Sequence, residues 1–315
     1  MRVNKMKVLV VGDLIVDKFI YGDVGRISPE SPNLILDYRN EEVIAGGAYN
    51  VCAHLRSLNV ECDFISLSGS DLYSHLDKGD FAEDRNKIVL STRRSAIIKT
   101  RLIARYKSTT LLRLDREDSS DLNETEERSV LDALKSLSEH KYSVICLSDY
   151  KKGLLTSGVI TEIKNFSKKN QSIVIVDTKA SNLDLYHGVQ ILKPNQLELD
   201  KIKQQIGIEF QSNEVAARKI WEKYRIPKLF LTLGHEGVEC YDKGSLVLKL
   251  PAVECLPREL SGAGDSSLAC LTYSLMNGGD WLEGAQLAVK GAAKFISEKA
   301  TYRLQELDLR GNVVE

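Results

Sequence analysis

Several patterns that would place a chain in a particular class of protein are missing from these 315 residues. The formal net charge is -1, so the excess of basic residues typical of nucleic-acid-binding proteins is absent. No apolar run approaches the length of a membrane span, and the segment before the first apolar strand is too short for a signal peptide. We therefore expect a soluble, cytoplasmic protein that binds neither nucleic acid nor membranes.

Motifs for zinc and for redox-active cysteine pairs are also missing. The six cysteines form no Cys-x-x-Cys motif, and they lie in otherwise apolar segments. The five histidines show no spacing typical of metal ligands. We therefore predict buried free thiols in a reducing compartment and no zinc site.

What the sequence contains is an alternation of apolar runs of strand length with helical patterns. The predicted strands are Val8–Val11, Cys62–Leu67, Ser143–Leu147, Ile173–Val176, Gln190–Leu192 and Lys228–Leu233. The predicted helices are Ala48–Leu58, Glu124–Leu137, Ser157–Ser167, Asn213–Tyr224, Ala263–Met276 and Trp281–Ser297. Several of the runs are almost continuously apolar, as expected of strands buried on both faces. The pattern predicts one α/β domain over residues 1–315, with a doubly wound, mostly parallel central sheet flanked by helices.

Two stretches, near residues 14–43 and 96–115, interrupt this alternation because both are extended and contain no helical pattern. The first turns around Ser28-Pro29-Glu30, and the second indicates a β-hairpin across Lys107–Thr110. We predict that they form a small β-sheet that projects from the α/β body and serves as a lid. The alternative is a pair of antiparallel edge strands on the main sheet.

A glycine-rich segment near the C-terminus, Ser261-Gly262-Ala263-Gly264-Asp265, opens a predicted helix. Its glycines allow a ligand to approach the backbone closely, and the free amides of the first turn attract anions. Beside such an anion site, Asp265 could accept a hydroxyl proton while the amides of Gly262, Ala263 and Gly264 stabilise a transferring phosphoryl group. The alternative is a helix start with packing glycines and a capping acid.

Two groups near the N-terminus are candidates for binding a small polar ligand. Gly46 and Gly47 precede a helix whose first turn contains Asn50. Asp13 and Asp17 follow the first strand, at the end where open α/β sheets bind ligands, and their carboxylates could hold sugar hydroxyls. A glycine turn and two solvated turn acids are the alternatives.

A further candidate follows a later strand, in Lys193-Pro194-Asn195-Gln196-Leu197-Glu198. Asn195 and Glu198 lie about one turn apart at a helix start, where they could face phosphates and a hydrated Mg²⁺. A simple capping box between the two is the alternative.

Together these motifs resemble the ribokinase-like (PfkB) family of carbohydrate kinases along nearly the whole chain. Gly46-Gly47 with Asn50, Asn195–Glu198 and Ser261–Asp265 are similar to three motifs of that family, in the family's order. The resemblance implies a ribokinase-like fold, ATP and Mg²⁺ as nucleotide and metal, Asp265 as catalytic base, and Glu198 near the metal through water. Nucleotide contacts are expected at Asn195, Gly262, Gly264 and at Thr232 and Gly234 of a turn after a strand. Relatives commonly form dimers through the lid, which implies a homodimer here.

Within the family, several segments resemble the D-glycero-β-D-manno-heptose 7-phosphate kinases. They are Val10–Asp13 with Asp17, Arg26–Pro32, Thr100–Leu102, Leu112–Asp115, Leu147–Tyr150 with Lys152-Gly153, and Asp177–Lys179. The resemblance implies transfer of the ATP γ-phosphate to the anomeric hydroxyl, giving heptose 1,7-bisphosphate for lipopolysaccharide core precursors. In many bacteria this kinase is fused to a nucleotidyltransferase, for which this sequence is too short, so we expect a stand-alone kinase. Asp149 is then a sugar-pocket residue. A sugar phosphate needs a basic partner, for which Lys179, Arg105, Arg26 and Lys152 are the candidates.

The chain departs from the family near the nucleotide. Ser261 replaces the usual threonine, Pro257–Leu260 lacks the usual aspartate, and Lys299–Tyr302 replaces a common glycine-threonine turn. These segments line the nucleotide and monovalent-cation region in relatives, so the cation requirement stays open. Two further functions stay open as well: a kinase for another sugar, sugar phosphate or nucleoside, and a catalytically silent sugar or nucleotide sensor.

Overall fold

The structure is a computed structural model that describes residues 6–77, 87–180, 182–258, 260–299 and 301–310. The strands are β1 (Lys7–Gly12), β2 (Leu14–Ile27), β3 (Leu34–Gly47), β4 (Cys62–Gly69), β5 (Ile88–Ser91), β6 (Ile98–Ala104), β7 (Thr109–Arg116), β8 (Tyr142–Asp149), β9 (Ile173–Thr178), β10 (Ile191–Leu192), β11 (Lys228–Thr232), β12 (Val238–Asp242) and β13 (Ser245–Leu250). The helices are α1 (Ala48–Ser57), α2 (Glu124–Ser136), α3 (Ser157–Asn170), α4 (Gln196–Gln205), α5 (Asn213–Tyr224), α6 (Ala263–Met276), α7 (Trp281–Ser297) and α8 (Glu306–Leu309).

Within the described residues, the larger sheet has nine strands in the order β13-β12-β11-β10-β9-β8-β1-β4-β5. The seven strands from β11 to β5 pair in parallel, and β12 and β13 continue the sheet as antiparallel strands at one edge. Parallel pairing brings the carboxyl ends of β1, β8, β9, β10 and β11 to one side of the sheet, which is where open α/β sheets bind ligands.

Helices cover both faces of this sheet, as strand β1 shows. Leu9 and Val11 pack into a core cluster with side chains of α2, α3, α4 and α5. Val8 and Val10 point to the opposite face and pack with side chains of α1, α6 and α7. Each face of the sheet therefore has its own apolar core. The predicted doubly wound, mostly parallel α/β sheet is confirmed.

A separate four-stranded sheet forms from the two helix-free stretches, in the order β3-β2-β6-β7. The pairs β2–β3 and β6–β7 are antiparallel, and β2 joins β6 in parallel. Only Asp13 separates β1 from β2, so the small sheet begins directly at the carboxyl end of the central strand. The prediction of a second small sheet is confirmed, and the alternative of edge strands on the main sheet is wrong. Its service as a lid stays a prediction.

The sequence interpretation missed three strands of the central sheet. Strand β5 has only four residues, and β12 and β13 form a hairpin whose turn residues are Lys243 and Gly244. Both turn residues have positive φ, 49° and 89°, although lysine seldom adopts that conformation. The residues at this turn therefore do not mark a hairpin in the sequence.

Five of the six cysteines are buried and unpaired, as predicted, but Cys255 is only partly buried and lines a large cavity. Cys255 lies in the irregular segment between β13 and α6, where the chain passes along the surface of the body. Across the described part of the chain, no helix combines the length and the apolar character needed to cross a bilayer.

Candidate active site

A cavity of about 1130 Å³ lies where the small sheet faces the carboxyl ends of the central strands. The small sheet contributes Asp17, Phe19, Ile44, Lys99, Arg101 and Arg113 to its lining. The ends of the central strands and the residues just after them contribute Asp149, Tyr150, Asp177, Lys179, Lys193 and Thr232. The first turn of α6 closes one side with Gly262, Ala263, Gly264 and Asp265. The volume slightly exceeds the roughly 300–1,000 Å³ of typical small-molecule pockets and is large enough for more than one small ligand.

Asp265 lies in the first turn of α6 and is 5% exposed. Its Oδ2 accepts a hydrogen bond of 3.1 Å from Asn50 Nδ2, and its Oδ1 accepts one of 2.8 Å from the Tyr150 hydroxyl. No described side chain caps the start of α6. The carboxylate therefore bonds to other elements rather than to its own helix, and the alternative of a capping acid does not fit.

The protein raises the pKa of Asp265 from its usual 3.8 to about 6. Burial is the main cause, and the negative charge of Asp177 acts in the same direction. The hydrogen bonds from Asn50 and Tyr150 and the charge of Lys193 partly oppose the rise. A carboxylate with a pKa near 6 is a stronger base than an exposed aspartate and is still mostly ionised near pH 7.

Asn50 holds one further polar atom toward this region. Its Oδ1 is buried without a hydrogen-bond partner among the described residues. An unsatisfied buried acceptor is costly, and a ligand hydroxyl beside Asp265 would remove that cost. Gly262 makes room for the Asn50 amide: it has φ 95°, and a Cβ there would lie 2.8 Å from Asn50 Nδ2.

A buried arginine ties the small sheet to the glycine-rich turn. Arg101 of β6 donates to Asp17 Oδ1 at 2.7 Å and to the Ser261 hydroxyl at 2.9 Å. Gly46 of β3 makes room for the same carboxylate, because a Cβ at Gly46 would lie 2.0 Å from Asp17 Oδ2. Gly47 lines the cavity with φ 60° at the start of α1. The structure thus brings Asp17 and Gly47 to the cavity. Gly46 does not line the cavity, but its lack of a side chain leaves room for the Asp17 carboxylate.

Asn195 and Glu198 form the capping box at the start of α4, and both also line the cavity. Asn195 Oδ1 accepts from the Glu198 backbone N–H, and Glu198 Oε2 accepts from that of Asn195. Burial, followed by the charge of Asp177, raises the pKa of Glu198. Thr232 forms a parallel β-bridge with Asn195, and both Thr232 and Gly234 line the cavity.

Two lysine side chains also line the cavity. Lys179 follows β9, is exposed, and its Nζ lies 4.3 Å from the centre of the Tyr150 ring. Lys99 of β6 also lines the cavity, and its pKa is lowered by burial and by the charge of Lys179. The positive charge of Lys179 thus disfavours the charged form of Lys99, and an anionic group of a ligand would stabilise both ammonium groups.

Two predicted sugar contacts lie outside the cavity lining, and a third lines the cavity but is hydrogen-bonded to neighbouring residues. Asp13 is buried outside the cavity lining, where its Oδ2 accepts from the backbone N–H groups of Tyr150 and Lys152 at 2.9 and 3.1 Å. Burial, and then the charge of Asp149, raises the pKa of Asp13 to about 7. Asp13 is therefore not a solvated turn acid. In this structure it holds the loop after β8.

The other two are Arg105 and Asp149. Arg105 lies outside the cavity at the far end of β6 and pairs with Asp23 of β2 at 3.5 Å. Its position was predicted wrongly because the small sheet carries it away from the body. Asp149 reaches the cavity wall, but Oδ2 accepts from the hydroxyls of Thr178 and Tyr186, each at 2.6 Å, and Oδ1 from the Lys151 amide.

Two other basic candidates for the sugar phosphate also lie outside the cavity lining. Lys152 pairs with Glu117 at 2.7 Å, and Arg26 lies at the exposed end of β2. Of the four basic residues considered, the structure brings only Lys179 to the cavity.

The cavity residues that were not singled out as site residues from the sequence include Tyr150, Asp177, Lys193 and Arg101. The first three follow or end strands β8, β9 and β10, so strand-end position was a usable signal for them. Arg101 lies within β6, and only its contact with Asp17 and Ser261 reveals it.

The residues present fit a hydrated magnesium ion. Among the described residues, no group of three or more His, Cys, Asp or Glu side chains is arranged as a metal site. Mg²⁺ in nucleotide sites uses one or two carboxylates together with phosphates and water, so such a group is not required. Burial is the main cause of the raised pKa of Glu198 and the negative charge of Asp177 is the second, and a divalent cation near Glu198 would offset the repulsion between the two carboxylates.

Comparison with known sequences identifies relatives over almost the entire chain. The bifunctional protein HldE of Rhodopseudomonas palustris strain BisA53 is 33% identical over 311 residues, which cover 98% of this chain and 63% of the relative. HldE of Geobacter sulfurreducens is 31% identical over 314 residues, covering 97% and 62%. The chain thus spans less than two thirds of the length of these curated relatives.

Comparison with solved structures shows the same fold at low sequence identity. Ribokinase from Thermotoga maritima superposes with a TM-score of 0.68 at 18% identity, covering 93% of both chains. Phosphofructokinase-2 from Escherichia coli, in complex with substrates and products, gives a TM-score of 0.73 at 17% identity and covers 96% and 97%. The ribokinase-like fold is confirmed.

The family model described as pfkB family carbohydrate kinase matches residues 5–307, a range that includes both sheets and every cavity-lining residue. The three short motifs found in the sequence lie around one cavity of the expected fold. The chain belongs to the pfkB family of carbohydrate kinases.

Proposed function

We propose that this chain transfers the γ-phosphoryl group of ATP to a hydroxyl of a sugar phosphate, with Asp265 as the catalytic base. The observation that supports it most is the placement of Asp265. The buried carboxylate with its raised pKa lies beside the uncapped first turn of α6, in a cavity large enough for both substrates. Base and anion-binding amides then face the same point.

In this mechanism the acceptor hydroxyl lies against Asp265, with Asn50 Oδ1 available to accept a second contact. The bond from the acceptor oxygen to the γ-phosphorus forms as the bond from that phosphorus to the β–γ bridging oxygen breaks. The electron pair of the broken bond stays on ADP, and the hydroxyl proton passes to Asp265. Tyr150 and Asn50 orient the carboxylate, while the amides from Gly262 to Gly264 stabilise charge on the transferring group.

The nucleotide is proposed to lie between the start of α4, the turn that includes Thr232 and Gly234, and the glycine-rich turn at Gly262. All three segments contribute residues to the lining of the cavity. Mg²⁺ supplies charge neutralisation for the phosphates when bound, and Glu198 would hold it through water. The contribution of the chain is to place one carboxylate near the phosphates and to exclude bulk water. The requirement for a monovalent cation is left open; Glu259 and Ala300, in the segments that bear on it, lie outside the described residues.

The acceptor is proposed to be D-glycero-β-D-manno-heptose 7-phosphate, phosphorylated at its anomeric hydroxyl to the 1,7-bisphosphate for lipopolysaccharide core precursors. The similarity to HldE proteins supports this substrate. The presence of two lysines, Lys99 and Lys179, favours an acceptor that contains a phosphate group. Both line the cavity next to Tyr150, whose hydroxyl donates to Asp265. Asp17 and Gly47 are proposed to contact the sugar.

A panel of acceptors tests the proposed function. ADP release is measured with MgATP and, in turn, heptose 7-phosphate, fructose 6-phosphate, ribose, a nucleoside, and no acceptor. We expect turnover with heptose 7-phosphate to exceed that with every other acceptor by at least tenfold in kcat/KM. Preference for another acceptor would change the substrate and keep the kinase, whereas binding of ATP or sugar without turnover would make the chain a sensor.

Replacing Glu198 with glutamine is expected to weaken the dependence of activity on Mg²⁺. The amide preserves the size of the side chain and its capping acceptor but removes the charge that attracts the hydrated ion. We expect the Mg²⁺ concentration for half-maximal activity to rise about three- to tenfold, in a titration at saturating ATP. Glu283→Gln is the matched control because Glu283 fills the same capping-box position at the start of α7, outside the cavity. If the Mg²⁺ titrations of both variants match that of the parent, Glu198 does not lie near the metal.

Cys255 offers a test of the nucleotide position that needs no substitution. It is the one partly exposed cysteine and lines the cavity together with Thr232 and Gly262. We expect iodoacetamide to modify Cys255 first, and saturating MgATP to slow that reaction at least fivefold. Mass spectrometry of tryptic peptides measures the rate. Equal rates with and without MgATP would place the nucleotide elsewhere.

The small sheet is also proposed to form a homodimer interface. Its strands expose apolar side chains that a second copy would cover, including Ile27, Leu34, Tyr38, Leu112 and Leu114. Light scattering of the purified protein tests the oligomeric state. The cytoplasmic location stays a prediction of the sequence.

A further inference from the structure

A buried carboxylate outside the cavity lies where the two sheets join. Asp13 is the single residue between β1 and β2, and it is 3% exposed. Its backbone N–H donates to the Ser148 carbonyl of β8 at 3.2 Å, and its backbone carbonyl accepts from the Ala48 N–H at the start of α1 at 3.0 Å. The main chain at Asp13 is therefore bonded to two other elements, and these bonds fix the direction of its side chain.

The side chain of Asp13 binds the turn that follows β8. Its Oδ2 accepts from the N–H groups of Tyr150 and Lys152, and Asp149 Oδ1 accepts from the N–H of Lys151 between them, at 2.8 Å. Lys151 has φ 60°, a left-handed conformation that occurs where successive amides bind anions. Three consecutive amides of one turn are thus bonded to two buried carboxylates.

The use of a second carboxylate at this turn is costly. Burial, and then the negative charge of Asp149, raises the pKa of Asp13, while the N–H groups of Lys152, Tyr150 and Leu154 lower it. A neutral acceptor would satisfy a turn amide without placing a second charge beside Asp149. The strong acceptor at position 13 therefore indicates that the exact place of this turn matters to the site.

Tyr150, the first residue of this turn, contacts groups on two sides of the cavity. Its hydroxyl donates to Asp265 Oδ1 at 2.8 Å, and the centre of its ring lies 4.3 Å from Lys179 Nζ. Asp13 is therefore connected to the proposed base by two hydrogen bonds, one to the Tyr150 N–H and one from the Tyr150 hydroxyl. A shift of the turn would move that hydroxyl away from Asp265.

We propose that Asp13 is a positioning residue for phosphoryl transfer and acts on Asp265 through Tyr150. This inference rests on the proposed function and adds to it a residue outside the cavity lining. The Asp13 carboxylate holds the backbone of Tyr150, and the Tyr150 hydroxyl then orients the Asp265 carboxylate toward the acceptor hydroxyl. Asp13 itself contacts neither the sugar nor the nucleotide.

The test is a double-mutant cycle of Asp13→Asn and Tyr150→Phe. The first places an NH₂ group against the N–H groups of the turn, and the second removes only the hydroxyl. Rates are measured with MgATP and the best acceptor of the panel at pH 8, where carboxylates with pKa values of about 7 and about 6 are mostly ionised. We expect each single variant to lose about tenfold to a hundredfold in kcat, with less than about a threefold change in the KM for ATP. The double variant should lose at most about threefold more than the weaker single variant, because both changes release the same contact with Asp265.

Asp63→Asn is the matched control. Asp63 is also a buried aspartate, but it lies outside the cavity lining, beside Lys7 at the start of β1, and accepts from the Tyr142 hydroxyl. We expect its kcat to stay within about threefold of the parent even if thermal unfolding shows a lower stability.

A kcat within about threefold of the parent for Asp13→Asn, or losses that multiply in the double variant, would overturn this inference and leave the proposed function in place. If Asp13→Asn does not fold, Asp13→Ser takes its place in the cycle, because it introduces no amide donor. Loss of folding in both variants would assign Asp13 to the fold alone and would also overturn the inference. A parent that turns over no acceptor of the panel would overturn the proposed function, and this inference with it.

Discussion

Asp265→Asn is expected to lower kcat by about 10²–10⁴-fold while leaving nucleotide binding intact. The asparagine side chain has the same shape and can still accept a hydrogen bond from Asn50 or Tyr150, but it cannot take up the acceptor proton. Phosphoryl transfer through a loose transition state needs proton removal only late, so orientation of the hydroxyl accounts for part of the loss. Steady-state kinetics and calorimetry of MgATP binding measure both quantities.

The control for this variant is Asp280→Asn. Asp280 is also an aspartate at a helix start, where it caps α7 through its carboxylate, and it lies outside the cavity. Its kcat is expected to stay within a few-fold of the parent. If Asp265→Asn does the same while binding MgATP normally, Asp265 is not the base.

The pH dependence of the parent follows from the same carboxylate. Because a general base acts in its ionised form, and the pKa of Asp265 is about 6, kcat/KM should fall about tenfold per pH unit below pH 6. It should level off above pH 7. If kcat/KM instead fell only around pH 4, the pKa of Asp265 would be close to that of an exposed aspartate, which would contradict an effect of burial on this carboxylate.

Lys179→Ala is expected to raise the KM for the phosphorylated sugar about tenfold to a hundredfold, with a change of less than threefold in the KM for ATP. A charge-assisted contact with a phosphate is worth about 1.5–3 kcal/mol, which corresponds to this range. Lys179 is exposed in the structure, so its removal should not unfold the protein. Initial rates with each substrate varied in turn measure the two constants.

The control for Lys179 is Lys219→Ala, which removes an exposed lysine of α5 paired with Glu222 outside the cavity. Its kinetic constants should match those of the parent. Equal rises in both KM values for Lys179→Ala would place Lys179 between the substrates rather than at the sugar phosphate. Equal turnover of a non-phosphorylated sugar would contradict a phosphate pocket altogether.

The parts of the site that could be predicted from sequence are those encoded by local patterns. One pattern is a glycine before a helix, as at Gly262 and Gly47, which indicates a backbone that a ligand can approach. The other is a polar residue just after an apolar strand, as at Asn195, which indicates a strand end that faces a ligand. The sheet could be predicted for the same reason, since runs such as Val8–Val11 are buried on both faces. These features depend on neighbours within a few positions.

The parts that could not be predicted depend on contacts between distant segments. Asn50 meets Asp265 across 215 positions, and Arg101 meets Ser261 across 160. Asp13 was correctly placed at a strand end, but the sequence does not show that the amides of Tyr150 and Lys152 occupy its carboxylate. The position of Arg105 was predicted wrongly because it depends on the direction in which the small sheet projects, and that direction is set by the whole fold.

The most direct test is to identify the product. Parent protein, MgATP and heptose 7-phosphate are incubated together and followed by ³¹P nuclear magnetic resonance. We expect one new sugar-phosphate signal, coupled to the anomeric proton, that grows in equal amount with ADP. Growth of ADP with inorganic phosphate alone, or no loss of ATP with any acceptor of the panel, would contradict the assignment of this chain as a sugar-phosphate kinase.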